Sequence, residues 1–383
     1  MQEPGISPGG IPVRAFPALD GLRGIAAILV ATYHYRGNFT GFDNFPCGDG
    51  YLAVDLFFVL SGFVLSHAYL QRFQRGMSTV QFMRARLIRL YPLYFVGLIL
   101  GAAGFIAGWE QPVNLTNGRV INTLMLEAFM LPSWPAPGHP LFVINPVAWS
   151  LFFEIIANFL FVVFWKRLNS KTLLTIVVAS AAILSAFTIR RHSANFGISW
   201  NTVMAGFPRT FFSFGLGLLI CQGHRSGKLK AAAGAGALLA SIILMCGYLT
   251  LPVSGSVRGY YDLAFIFIVS PLLVIIGTSR HLENAWVRLF SFLGGVSYAL
   301  YAIHAASIPL FRVAALRYFK ESPPILISLT EVAVLVVISY LLDVIYDQPV
   351  RRALTAYFRH HVSVRARYPG SGERGSGGRV DRD

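Results

Sequence analysis

Long apolar stretches, each broken by few polar positions, follow one another along most of this chain. Since about 20 apolar residues in a helix cross the ~30 Å hydrocarbon core of a bilayer, each of these stretches is long enough to span a membrane. The pattern predicts an all-α polytopic membrane protein, a bundle of about ten transmembrane helices. The predicted spans are 18–35, 52–71, 87–108, 145–165, 171–189, 203–221, 229–249, 261–278, 289–311 and 325–346.

The charged residues between the spans predict the orientation. An even number of spans places both termini on one side, and most of the 32 Lys and Arg residues fall in the segments on that side. Lysine and arginine collect in cytoplasmic loops. We therefore expect a multi-pass protein of the cell (inner) membrane with its N- and C-termini in the cytoplasm.

Composition supports the membrane assignment, because 55% of the 383 residues are hydrophobic and only 13% are charged. The net charge of +15 fits cytoplasmic loops on an anionic leaflet, so we expect a lipid bilayer and no nucleic acid as partner. No phosphate-binding loop, nucleophile elbow, dinucleotide fingerprint or metal-ligand spacing occurs. The sequence thus predicts no metal and no permanently bound cofactor.

The first span carries three ionisable residues, Asp20, Arg23 and His34. Ionisable groups inside spans are costly and mark functional sites by default. Eleven residues at about 1.5 Å each separate Arg23 from His34 by about 16 Å, and just over three helical turns leave both on one side. A cation and a titratable base on one stripe predict a reaction axis along this helix.

Two carboxylates lie inside later spans. Asp55 precedes the Ser61–Gly62 pair in the second span, where small residues indicate a helix-packing surface. Counting from the outer end of the fourth span places Glu154 at the depth of His34, where it could orient the imidazole. Either carboxylate serves equally well as a structural partner, and both interpretations stay open.

Three further cations are candidates. Arg86 and Arg89 share one helix face at the cytoplasmic boundary, where they suit a phosphate clamp or, as the simpler interpretation, an anchor to anionic lipid. Arg209 lies within the sixth span and needs either a carboxylate, from Asp55 or Glu154, or a substrate oxygen.

The ninth span contains a polar seam. Ser297, Tyr301 and His304 are spaced by four and three residues, so they share one face of a helix. Such a seam predicts a lined cavity, although a lone histidine serves more often as an interhelical hydrogen-bonding group.

The remaining segments set the domain limits. We expect a flexible N-terminus over 1–15, one transmembrane domain over 16–352, and a basic Gly/Ser/Arg-rich cytoplasmic tail over 353–383. Within the longest outer loop, the apolar stretch from Val120 to Leu131 predicts a short re-entrant or interfacial helix.

Seven stretches together resemble the acyltransferase 3 family of integral-membrane acyltransferases, in the usual order of that family. They are LDGLRGIAAILVATYHY, VDLFFVLSGFVLSHAY, RARLIRLYPLY, WSLFFE, FPRTFFSFGLG, SYALYAIH and YDQP. One departure is Asp347-Gln348-Pro349, where relatives often have Glu-x-Pro.

The resemblance implies a ten-span core that moves an acyl group from cytoplasmic acyl-CoA, the co-substrate, to a hydroxyl of an extracytoplasmic carbohydrate or glycolipid. Acetyl is the group we expect. His34 becomes the expected general base, with Glu154 or Asp55 orienting it, and Arg23, Arg86 and Arg89 become the expected donor-binding cations. Arg209, Ser297, Tyr301 and His304 are the candidates for oxyanion or acceptor binding.

Two alternatives remain at this point. The first is acylation of a small molecule, such as a macrolide, on the cytoplasmic side. The second is a non-enzymatic exporter or permease, in which buried His, Arg and Asp residues form a proton relay. The lack of a visible inverted repeat counts against the exporter.

Overall fold

The computed structural model describes residues 16–35, 48–109, 117–136, 138–229, 234–251, 253–278, 282–319 and 322–367. These residues form helices joined by short connections, with no strand among them. The helices are α1 (Pro17–Tyr35), α2 (Ala53–Gln74), α3 (Thr79–Ile106), α4 (Asn117–Ala128), α5 (Ala148–Phe164), α6 (Ser170–Arg191), α7 (Val203–Arg225), α8 (Ala235–Thr250), α9 (Arg258–Ala264), α10 (Ser270–Gly277), α11 (Asn284–Tyr318), α12 (Pro324–Leu342) and α13 (Gln348–Arg367).

Seven helical segments of this described part are long and apolar enough to cross a membrane. Two apolar helices, α5 and α8, are shorter, and α1 carries Asp20 and Arg23 within its 19 residues. The all-helical fold is confirmed. Ten spans with cytoplasmic termini stay a prediction, and the expected flexible segment 1–15 lies outside the described residues. The seven segments are 50–74, 79–106, 170–191, 203–225, 255–277, 284–318 and 325–359.

Glycines allow the central helices to approach each other closely. A Cβ at Gly62 of α2 would lie 2.1 Å from the Phe214 carbonyl oxygen of α7, and a Cβ at Gly217 would lie 2.1 Å from the Val59 carbonyl oxygen. Neither position can therefore hold a side chain without separating the two helices. The helix-packing interpretation of Gly62 is confirmed.

The outer loop between α3 and α5 contains the expected short helix, α4. Its buried Glu127 carboxylate accepts the backbone N–H groups of Val143, Ile144 and Asn145 at 2.5–3.0 Å. Asn145 Nδ2 in turn donates to the Ala302 carbonyl of α11 at 3.1 Å. Burial raises the pKa of Glu127 to about 7, although the three backbone donors favour its anion.

The end of the chain differs from the expected tail. After α12, a π-helical turn at Asp343–Asp347 leads directly into α13, which continues to Arg367. The first residues of the segment assigned to a Gly/Ser/Arg-rich tail are therefore helical. This helix packs against α3, where the Arg84 guanidinium lies 4.9 Å from the Phe358 ring centre. The Gly/Ser-rich residues after Arg367 lie outside the described part.

Candidate functional site

A cavity of about 1180 Å³ lies between α1, α2, α3, α5, α11 and the α12–α13 junction. Its wall carries many more cations than carboxylates. Such a lining attracts a polyanionic ligand, since guanidinium groups bind phosphates with paired N–H donors. The charged groups on the wall, besides His67, are Arg23, Arg86, Arg89, Arg288, Arg351, Arg352, Arg359, Asp20, Glu154 and Asp343.

The two ends of the cavity differ in chemistry. Arg288 of α11 and the α13 arginines form one end, which we call the arginine end. Ser150 and Tyr301 form the other, which we call the tyrosine end. Thirteen residues along α11 separate Arg288 from Tyr301, a rise of about 20 Å. The cavity therefore has the shape and charge for an elongated ligand with an anionic head.

Glu154 and Arg86 meet on the wall between these ends. Arg86 donates to the Glu154 carboxylate at 2.8 Å, and the Ser61 hydroxyl donates to the same oxygen at 2.8 Å. One turn beyond Ser150 on α5, Glu154 thus binds the α3 arginine, and its predicted role in orienting His34 stays a prediction. Counting residues gives the depth of Glu154 along α5 but not the direction of its side chain, and in the structure this side chain meets Arg86.

Arg23 and Ser297 meet across α1 and α11, as an axis along these helices requires. Arg23 Nε donates to the Ser297 hydroxyl at 3.0 Å, and its Nη2 donates to the Gly294 carbonyl and to Asp20. Arg89 lies 3.6 Å from the buried Asp347 carboxylate and 5.0 Å from the Tyr298 ring centre. All three predicted donor-binding arginines thus line one cavity.

Two hydroxyls meet at the tyrosine end. Tyr301 and Ser150 are 2.6 Å apart, and Ser150 also lies 3.1 Å from the Val147 carbonyl. Because that carbonyl can only accept, Ser150 donates to it and Tyr301 donates to Ser150. The Tyr301 hydroxyl is thus a positioned donor at the tyrosine end of the cavity.

His34 and His304 form a pair just beyond the tyrosine end. His34 Nδ1 lies 3.3 Å from His304 Nε2, and the Tyr301 ring centre lies 5.6 Å from that of His304. Each Nδ1 also faces a backbone carbonyl, Val30 for His34 and Tyr301 for His304, both at 2.9 Å. Both imidazoles therefore carry their proton on Nδ1, which leaves Nε2 of His34 as the nitrogen that can accept a proton.

Asp55 and Arg209 form a fully buried ion pair that is not on the cavity wall. Arg209 donates twice to Asp55, at 3.0 and 2.6 Å, and also to the Phe196 and Tyr51 carbonyls. Ser213 donates to the other Asp55 oxygen at 3.2 Å. The pair bridges α2 and α7, which is the structural alternative left open for Asp55 and the carboxylate partner expected for Arg209; their roles in catalysis and oxyanion binding stay predictions.

Some residues of the site were not predicted. The sequence analysis did not include Ser150 as the partner of Tyr301, nor Arg288, Arg351, Arg352 and Arg359 as part of the wall. Helical spacing offered one signal, since Arg351, Arg352 and Arg359 share a face. The predicted boundary between residues 352 and 353 assigned Arg359 to the tail and so separated it from the other two.

Comparison with known proteins gives the same assignment as the motifs. The sequence profile of a family described as an acyltransferase domain matches residues 16–344, nearly the whole described part of the chain. The chain belongs to the acyltransferase 3 family. As a member of this family, it is an enzyme that transfers acyl groups, and the exporter alternative loses its support.

Several known proteins are similar in sequence to this chain. "Protein 2 in picA locus" of Rhizobium radiobacter is 37% identical over 188 residues, 45% of this chain and 94% of the relative. The exopolysaccharide production protein ExoZ of Rhizobium meliloti is 26% identical over 72% of this chain and 81% of its own length. No solved structure matches the chain.

One relative shares a smaller part of its length. The peptidoglycan O-acetyltransferase OatA of Listeria monocytogenes is 26% identical over 186 residues, 44% of this chain and 28% of OatA. This match covers the acyltransferase 3 region of the chain only in part, so it adds to the family assignment without extending it.

Proposed function

We propose that this acyltransferase moves an acyl group, acetyl in the simplest case, from cytoplasmic acyl-CoA to a hydroxyl of an extracytoplasmic or lipid-linked glycan. One observation carries the proposal: an arginine-lined cavity ends at a hydroxyl pair that adjoins the buried His304 and the half-buried His34. The printed names of the relatives support a carbohydrate acceptor, since one is an exopolysaccharide production protein and another a peptidoglycan O-acetyltransferase.

The donor enters with its phosphates at the arginine end. Arg23, Arg86 and Arg89 line the cavity between that end and Tyr301, so the thioester arm extends past them toward the tyrosine end. Carbonyl oxygens of this arm then accept from Arg86 and Arg89, whose guanidiniums also bind Glu154 and Asp347. Ion pairs that are already formed keep the guanidiniums oriented before the ligand arrives.

His34 acts as general base in the transfer step. Its Nε2 accepts the proton of the acceptor hydroxyl as the hydroxyl oxygen attacks the thioester carbon. The tetrahedral oxyanion collapses, the carbon–sulfur bond breaks, and the CoA sulfur takes the proton from His34. For the oxyanion, the Tyr301 hydroxyl turns its single proton from Ser150 to the substrate oxygen, while Ser150 keeps donating to the Val147 carbonyl.

The first test measures release of free CoA from acetyl-CoA by the purified full chain in lipid nanodiscs with a glycan extract of the host. His34→Asn is expected to lower kcat by about 10² to 10⁴-fold, the usual contribution of a general base. His192→Asn is the matched control, because His192 is exposed at the end of α6 and its left-handed backbone (φ 54°) tolerates asparagine. Equal activity of wild type and His34→Asn would rule out the proposed base.

The second test addresses the acceptor and its side of the membrane. Proteoliposomes receive radiolabelled acetyl-CoA outside and a glycan acceptor either inside or outside. Transfer across the bilayer supports the proposal. Acylation only of acceptors on the donor side, including small molecules, would favour the cytoplasmic alternative.

A further inference from the structure

The face of α13 that turns toward the cavity carries three arginines, with two small residues between the second and the third. The lining residues of this helix follow the spacings 0, 3, 4, 7, 8 and 11, which is one continuous helical face. They are Gln348, Arg351, Arg352, Thr355, Ala356 and Arg359. Half of this face is guanidinium, and small side chains at Thr355 and Ala356 leave room between the charges.

The ion pairs of these arginines are unequal. Arg351 binds Asp347 at 2.8 Å and lies 3.6 Å from Asp343, so its charge is already compensated. Arg352 donates to a neutral group, the Gln348 side-chain oxygen at 3.3 Å. Within the described part of the chain, neither Arg352 nor Arg359 is in an ion pair, and the same holds for Arg288 across the cavity. These three positive charges line one cavity, and none of them has an ion-pair partner among the described residues.

The position of α13 is fixed relative to the rest of the cavity. The π-helical turn ends at the fully buried Asp347, which lies against both Arg89 of α3 and Arg351 of α13. Arg84 stacks on Phe358 further along the same two helices. A face held at both of these points is preorganised, so binding to it costs little ordering of the protein.

We infer that this α13 face, with Arg288 opposite, binds the phosphate groups at the nucleotide end of the acyl-CoA donor, Arg352 and Arg359 being the principal contacts. The inference rests on the proposed function and adds a site for the nucleotide, distinct from Arg23, Arg86 and Arg89 along the thioester arm. A phosphomonoester and a diphosphate on one ligand match several guanidiniums arranged along one wall.

The test compares two donors in phosphatidylcholine nanodiscs: acetyl-CoA and acetyl-pantetheine, which keeps the thioester arm but lacks the nucleotide. In Arg352→Gln/Arg359→Gln, KM for acetyl-CoA is expected to rise roughly tenfold or more, since hydrogen bonds to charged groups have that effect. The kinetics with acetyl-pantetheine should stay at the wild-type level. Arg167 is exposed in the turn after α5, so Arg167→Gln is the matched control. It should leave the kinetics with both donors unchanged.

Two further measurements sharpen this comparison. Adenosine 3′,5′-bisphosphate should compete with acetyl-CoA in the wild type and lose that competition in the double variant. Ala356→Phe keeps every charge but fills the space between the arginines, and should likewise raise KM for acetyl-CoA alone.

Several outcomes would overturn the inference. Equal losses with both donors would assign the arginines a structural role, and unchanged kinetics with acetyl-CoA would remove them from the donor site. If the activity of the double variant changes only when phosphatidylglycerol is added to the nanodiscs, the face binds anionic lipid and not the donor. Wild-type protein that turns over neither donor would instead refute the proposed function, and this inference with it.

Discussion

At the scale of single residues, the contact between His304 and His34 has a consequence for catalysis. The Nδ1–H of His34 is shared between the Val30 carbonyl at 2.9 Å and His304 Nε2 at 3.3 Å, so His304 helps to hold the base in one tautomer and to stabilise the charge that develops on it. Glutamine can place an acceptor oxygen near the Nε2 position, whereas asparagine is too short. We expect His304→Gln to retain most activity and His304→Asn to lower kcat about tenfold or more, with KM for acetyl-CoA unchanged.

The two variants control for each other, since both remove the imidazole and both are amides. Steady-state kinetics with acetyl-CoA separate the parameters. Equal losses of kcat in His304→Gln and His304→Asn, or a change in KM alone, would contradict a positioning role for His304.

The Asp55–Arg209 pair makes a prediction about stability. Both side chains are fully buried, so removing one partner leaves a charge in the bundle without compensation. Asp55→Asn or Arg209→Met alone should lower the free energy of unfolding by about 3–5 kcal/mol. Thermal unfolding in detergent measures the loss.

The double variant Asp55→Leu/Arg209→Met is the informative control, because replacing both charges by apolar groups is often near neutral. It should recover much of the loss in melting temperature. A stable but inactive Asp55→Asn protein would support the catalytic interpretation of this carboxylate.

Residue types were easier to predict than residue partners. The sequence identified Arg209 as a buried cation that needs a carboxylate, and the structure supplies Asp55. The seam of Ser297, Tyr301 and His304 does face polar partners. The partner of Glu154 was not predictable, because counting residues gives depth along a helix but not which neighbour its rotation selects.

At the scale of elements, Glu127 joins α4 to the loop before α5 and so makes the fold of the outer segment depend on pH. Burial raises its pKa from the ordinary 4.5 to about 7. Between these values the folded state binds a proton that the unfolded state releases. Stability from this group is therefore complete below about pH 4.5 and is lost as the pH rises to about 7, by roughly 3 kcal/mol in total.

The melting temperature, measured across this pH range, tests the predicted loss of stability. Glu127→Gln removes the titration, so the melting temperature of the variant should fall less between pH 5 and 7 than that of the wild type. The variant should also be less stable throughout, since its amide NH₂ meets backbone N–H donors. Parallel pH profiles for the two proteins would contradict the shifted pKa.

Helices were predictable where apolar runs are long, because the bilayer sets their length. The helix α13 was not, since its composition indicated a tail. In the structure, six residues of α13 line the cavity together with residues of α3 and α11. This shared lining explains why a polar helix is part of the fold.

At the scale of the whole molecule, the arginine end of the cavity must face the cytoplasm if cytoplasmic acyl-CoA is the donor. The helix α6 offers a direct measurement of orientation, because its 22 residues rise about 33 Å and it has exposed arginines at both ends. Arg167 precedes it in the turn after α5, and Arg191 ends it. The excess of basic residues predicts Arg167 inside and Arg191 outside.

In a background without native cysteines, Arg191→Cys should react with a membrane-impermeant maleimide in intact cells. Arg167→Cys should react only after lysis, and it serves as the matched control because both sites are exposed ends of one span. The reverse pattern would place the arginine end outside. A donor confined to the cytoplasm could then not reach it, and the direction of acyl transfer would have to be reversed.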